Sequence, residues 1–172
     1  MPTVYRSATQ WPPVAVTSIW NRLEELDVLL QNQARDPDAE STAQWLARLL
    51  VIRSCGYLEQ TVLEVARAFI VDSSGGLVRS FAQSHVPEGR NPSPEFLLEW
   101  VGRFDANLRE DLDELFEADD QRLRRELSFM VDRRNRIAHG LNEGITSRKA
   151  LDLKLIACEM ADWFILRFNP AR

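Results

Sequence analysis

From Ser41 to Val71 the chain keeps one helical pattern, with Trp45, Leu49, Ile52, Leu63, Ala66 and Ile70 falling on helical spacings. A segment so long and so regular fits nothing but a helix. A helix with an apolar face needs other helices or a sheet to cover it. Gly56 is expected to loosen its middle, and Asp72-Ser73-Ser74-Gly75-Gly76 to end it with residues that compete for backbone hydrogen bonds or accept positive φ.

The rest of the chain supplies the covering helices. Residues 1–16, with Pro2, Pro12 and Pro13 and no sustained period, read as an extended lead-in. Thr17 or Ser18 is placed to cap a first helix carrying Ile19, Leu23, Leu26 and Leu30, which stops before Asp36-Pro37. A short helix over Leu77 to His85 precedes a connector from Pro87 to Pro94. Ser93-Pro94-Glu95 then starts a helix in the expected order. Phe96, Leu97, Trp100 and Val101 form one apolar face, and Phe104, Leu108, Leu112, Leu115 and Phe116 form another after a break near Gly102. Asp119 or Asp120 is expected to cap the next helix, in which Leu123, Leu127 and Met130 repeat until about Ile137. After a loop from His139 to Thr146, Ser147 is expected to cap a last helix with Leu151, Leu155, Cys158, Ala161, Trp163 and Ile165, ended by Asn169-Pro170. No window alternates like a strand. The expectation is an all-α bundle of about four long helices plus short ones, in a single domain over residues 17–169.

Composition narrows the partners. With 45% apolar and 27% charged residues, a chain of 172 residues has enough apolar side chains for a core. The longest apolar stretch, Ala157 to Phe168, is interrupted by Glu159, Asp162 and Arg167, so no membrane span is expected. With no signal-peptide pattern at the start, a cytoplasmic location is expected. Cys55 and Cys158 stand far apart in apolar surroundings and read as reduced core thiols. A net charge of −5 argues against coating nucleic acid through the overall field. Contact with RNA has to be local, and Arg122, Arg124, Arg125, Arg133, Arg134 and Arg136 cluster in an otherwise acidic chain.

Within that cluster, Leu123, Leu127, Met130, Arg134 and Ile137 are spaced four, three, four and three apart, which puts Arg134 on the apolar stripe. A guanidinium does not lose its proton and is costly to bury alone, so Arg134 has to meet an anion, a carboxylate or trapped solvent. His139 precedes Gly140, the residue type that commonly closes a helix, and imidazole is the side chain best suited to proton transfer near neutral pH. A structural reading, with His139 as a cap and Arg134 in a buried ion pair, is the one that spacing alone favours. His85, before Pro87, reads as structural or exposed. Ser73-Ser74-Gly75-Gly76 lacks the spacing and the Lys of a phosphate loop, so no cofactor is expected. The two histidines and two cysteines have no metal-ligand spacing, so no metal is expected.

Arg134-Asn135-Arg136-Ile137-Ala138-His139 resembles the Arg-polar-x-x-x-His signature of HEPN domains, and Gly56-Tyr57-Leu58-Glu59 is similar to a motif in several prokaryotic HEPN families. The resemblance is greatest to the RiboL-PSP-HEPN group, over Ser41 to Phe168. It implies a HEPN-like bundle that forms a homodimer, bringing two copies of the motif to one cleft where RNA is cut without metal and a 2′,3′-cyclic phosphate is left. In that scheme two His139 side chains act as base and acid, Arg134 clamps the phosphate, and Asn135 orients Arg134, His139 or the phosphate. Arg136 and Arg133 are the substrate-binding candidates. Glu59 either orients Arg134 or His139 or is solvated. Some HEPN toxins carry a tyrosine two residues after the histidine, where this chain has Leu141, so inactivation by modification there is not expected. Toxin, defence and stress roles, with a cognate antitoxin or inhibitor, complete what the resemblance implies. The alternatives are a catalytically silent HEPN-like module that binds RNA, a nucleotide or a protein, and an adaptor with Trp11 and Trp100 in an exposed patch.

Overall fold

The computed structural model describes residues 10–141 and 144–170, and its regular elements are all helical. In chain order they are α1 (Val14–Gln33), a 3₁₀ turn (Pro37–Ala39), α2 (Glu40–Ser73), α3 (Gly76–Ser84), α4 (Pro94–Gly102), α5 (Ala106–Ala138) and α6 (Ser147–Arg167). Four are long and two short, as the periodicity requires.

The axis of the bundle is α2, and its sequence explains why. Ala43, Ala47, Leu50, Ser54, Tyr57 and Thr61 make one buried stripe, while Val51, Cys55, Leu58, Val62 and Val65 make a second beside it. Two adjacent stripes give a buried face wide enough for several neighbours, and α2 packs against α6, α1 and α5, with α4 lying on α5. Gly56 leaves the helix unbroken. At one end, Trp100, Phe104 and Phe168 meet edge to face at centroid distances of 5.0 Å, each pair adding about 0.5–1.5 kcal/mol beyond its area.

Several boundaries differ from the sequence expectation. Helix α1 begins at Val14 behind Pro13, with no side-chain cap, so Thr17 and Ser18 lie inside it. Proline's fixed φ starts the helix without a hydroxyl. The lead-in is therefore helical from Val14, and its residues 1–9, Pro2 included, lie outside the described residues. Thr146, not Ser147, caps α6, its hydroxyl accepting from the Lys149 amide at 3.2 Å. The break expected at Asp119 and Asp120 is present, but it is made by backbone conformation and not by a side-chain cap. With Gln121 these aspartates sit at φ of 49°, 54° and 59°, a left-handed turn that bends α5 in the middle. Aspartate tolerates this region better than most residues, but the turn is still strained. The start of α5 is capped by Asp105, which accepts from the amides of Asn107 and Leu108.

Two apolar faces are also rotated from the expected ones. Trp45 is 67% exposed and Leu49 41%, with Arg48 stacked on the Trp45 ring, while their neighbours Ala47 and Leu50 are buried. On α6, Leu155 is exposed and Lys154 is buried. The Lys154 ammonium donates to Asp27 at 2.5 Å and to Glu24, both on α1, and lies over the Trp20 ring. Burial alone would lower its pKa, but the two carboxylates outweigh that and raise it. The adaptor patch does not exist: Trp100 is 4% exposed, and Trp11 packs on the core with its indole N–H donating to the Ile165 carbonyl at 2.9 Å.

Candidate functional site at the C-terminal end of α5

The second half of α5 carries its apolar stripe through Leu123, Leu127 and Met130, all buried, and then reaches Arg134, which is half-buried. The helix closes at His139. The Gly140 amide donates to the Ile137 carbonyl and the Leu141 amide to the Arg136 carbonyl, both at 3.0 Å, with Gly140 at φ +75°. This is the double hydrogen bond of a Schellman ending, and it needs the left-handed residue that glycine supplies. His139 is thus the last residue of the rod, with its imidazole exposed and making no hydrogen bond among the described residues. At about 100° per residue, five residues turn His139 roughly 140° around α5 from Arg134, so the two side chains of one chain diverge.

Asn135 is the nearest partner of Arg134. Its Oδ1 accepts from the Arg134 guanidinium at 3.1 Å and from the Asn91 amide, also at 3.1 Å. Arg134 makes no ion pair with a carboxylate among the described residues, so the buried ion pair of the structural reading is not formed there. Glu59 is half-buried and lines a small cleft with Val86, Pro87, Arg90, Pro92 and Phe96. It makes no hydrogen bond to Arg134 or His139. Both charges nonetheless reach Cys55: burial pushes this thiol up to about 11, Arg134 pulls it back and Glu59 raises it further.

The other arginines of the cluster have various settings. Arg122 pairs with both carboxylate oxygens of Glu159 at 3.0 Å. Arg124 pairs with Asp113 at 2.8 Å and Glu117 at 3.4 Å. Arg133 lies over the Phe129 ring, and Arg136 is exposed on the last turn of α5.

The sequence model of the RiboL-PSP-HEPN family matches residues 18–165. The chain belongs to this HEPN family. No curated protein and no solved structure matches it. HEPN domains are helical and are often ribonucleases, so the family suggests a function related to RNA cleavage or nucleotides.

Within this HEPN domain, Cys55 and Cys158 are both free thiols. Burial pushes Cys158 up to about 12, with Lys154 acting against the rise, so neither thiol is ionised near neutral pH. His85 is exposed, its ring tilted against that of Phe81 at a centroid distance of 4.2 Å and its Nδ1 2.8 Å from the Phe81 carbonyl, as a structural or surface histidine should be. Among the described residues no group of three or more His, Cys, Asp or Glu side chains is placed to hold a metal, and no helix is long and apolar enough to cross a membrane. Leu141 is exposed, and the rest of the loop's middle, residues 142–143, lies outside the described residues. Sequence reasoning missed Asn91. Its signal was faint: an amide in a connector held by Pro87, Pro92 and Pro94.

Proposed function

We propose that this HEPN domain is a metal-independent endoribonuclease that cuts RNA in a cleft assembled from two copies of the chain. The observation that carries this reading is Arg134, half-buried and oriented by the Asn135 carbonyl yet with no carboxylate to neutralise it among the described residues. A guanidinium held in this way keeps its charge and its forked donors for a phosphate. The divergence of Arg134 and His139 on one helix supports a site completed by a second subunit.

In that cleft one His139 removes the proton of the RNA 2′-hydroxyl, whose oxygen attacks the adjacent phosphorus. The bond to the 5′-oxygen breaks, the other His139 protonates that leaving oxygen, and a 2′,3′-cyclic phosphate remains. Two Arg134 guanidiniums hold the charge that builds on the phosphorane oxygens. Asn135 orients Arg134, Arg136 and Arg133 extend the phosphate-binding surface, and Glu59 acts from behind on the electrostatics of the pocket. A cytoplasmic nuclease of this kind harms its host unless restrained, so a toxin, defence or stress effector with a cognate antitoxin or inhibitor is the biological form we propose.

The test incubates the purified protein with mixed RNA in chelator, beside Arg134→Ala and His139→Ala variants, with oligomeric state measured for each. Cyclic-phosphate ends that fall by about a hundredfold or more in both variants are the expected result. Intact dimers that bind RNA without cutting it overturn the nuclease and leave a binding module.

A further inference from the structure

An arginine side chain offers only donors, so the Asn135 atom that meets the Arg134 guanidinium at 3.1 Å has to be the carbonyl oxygen. This settles the next residue as well. Asn91 meets the same oxygen at 3.1 Å and has to present its amide nitrogen. Both lone pairs of Oδ1 are then occupied, and the Asn135 NH2 group is turned to the other side, with no acceptor among the described residues.

The segment that delivers Asn91 is held at several points. Glu88 pairs with Arg67 of α2, Pro92 is buried, the Ser93 amide donates to the Asn91 carbonyl at 2.9 Å, and Pro94 begins α4. Gly89 makes the tight bend at φ +63°. Pro92, directly after Asn91, and Pro87, four residues before it, limit the conformations the segment loses on ordering. The connector therefore works as a strap from α2 to the end of α5, and its only side-chain hydrogen bond to α5 is the one from Asn91 to Asn135 among the described residues.

We propose that Asn91 is a positioning residue of the RNA site, holding the Asn135 carbonyl on Arg134 and so aiming both the guanidinium and the free Asn135 amide at one phosphodiester. Its part in cleavage rests on the nuclease reading above; the contact itself does not. Asn91→Ala removes the second donor and lets the Asn135 amide rotate. Asn91→Asp, nearly the same in shape, replaces the donor with an anion that repels the Asn135 carbonyl and draws Arg134 toward itself.

The experiment compares the full chain with Asn91→Ala and Asn91→Asp by nitrogen-15 NMR of the Asn135 side-chain amide and the Arg134 Nε–H, and by RNA-cleavage kinetics. Signals are identified through Asn135→Ala and Arg134→Lys. Both signals are expected to move in both variants, with thermal unfolding little changed. In cleavage, kcat is expected to fall by about tenfold in Asn91→Ala, and further in Asn91→Asp, with KM changed less than kcat. Adding Asn91→Ala to Asn135→Ala should cost nothing more, because the first acts through the second. Unmoved Asn135 and Arg134 signals overturn the proposal whatever the kinetics show. Moved signals in a protein that cuts no RNA uphold the contact and remove the nuclease instead. A loss that simply multiplies with that of Asn135→Ala also overturns it.

Discussion

The stretch of α5 after its left-handed turn treats the arginines at its two ends in opposite ways. Beside the left-handed turn, Arg122 and Arg124 are matched to the carboxylates of Glu159, Asp113 and Glu117. Near the helix end, Arg134 is held by the carbonyl of a neutral amide. Both arrangements fix a guanidinium in space, but only the first cancels its charge. A carboxylate partner makes an arginine part of the scaffold, whereas an amide partner leaves it aimed and still cationic. The molecule as a whole carries a net charge of −5, so a point of retained positive charge matters more here than in a basic protein.

The strongest way to break the comparison is to remove one arginine from each end of that stretch. Arg134→Ala should lower RNA cleavage by about two to three orders of magnitude, and Arg134→Lys should restore little, since an ammonium lacks the fork. Arg122→Ala should leave cleavage within about twofold, as a surface change remote from the site should. Single-turnover assays on folded variants decide it, and equal losses at the two positions would end the distinction.

Lys154 gives the buried extreme of the paired class. Lys154→Met should destabilise the fold by about 3 kcal/mol, because it leaves the Asp27 carboxylate buried without its partner. The pKa of Lys154 is raised in the fold, so its stabilisation is complete below the ordinary lysine value of 10.5 and is lost as pH rises through the higher folded value. Denaturant unfolding should therefore show the gap between wild type and Lys154→Met narrowing in strong alkali. A gap constant with pH would detach the stability from the ion triad.

A third change turns one class into the other. Asn135→Asp keeps the shape of the side chain but gives Arg134 a carboxylate, and cleavage should fall on the order of a hundredfold as the guanidinium is neutralised and drawn aside. Undiminished cutting would show that retained charge is not what the amide provides. The smallest effect belongs to Arg122→Ala in chemical denaturation, about 0.5 kcal/mol for an exposed pair.

How much of this was legible in the sequence follows from how local each feature is. The Schellman ending of α5, the Ser93 cap of α4 and the stripe leading to Arg134 depend on residues within a turn or two of one another, and they could be read directly. The burial of Lys154 could not, since it depends on Glu24 and Asp27 arriving from another helix; a lysine on an apolar face reads as solvent-facing, and the leucine spacing puts that face one residue off, at Leu155. The left-handed turn at Asp119 to Gln121 has no glycine to announce it, so capping was the natural reading of its aspartates. Asn91 joins Asn135 across 44 residues of sequence, a meeting that no spacing rule reveals. At the site, then, the arginine and the histidine were written in the motif, but the way the arginine is held was not.

The ending at Gly140 has a bearing on how this protein tolerates change. The last backbone bonds that define α5 are made by Gly140 and Leu141, so the place of His139 is settled before the chain goes on. Length variation after Leu141 therefore does not shift the imidazole.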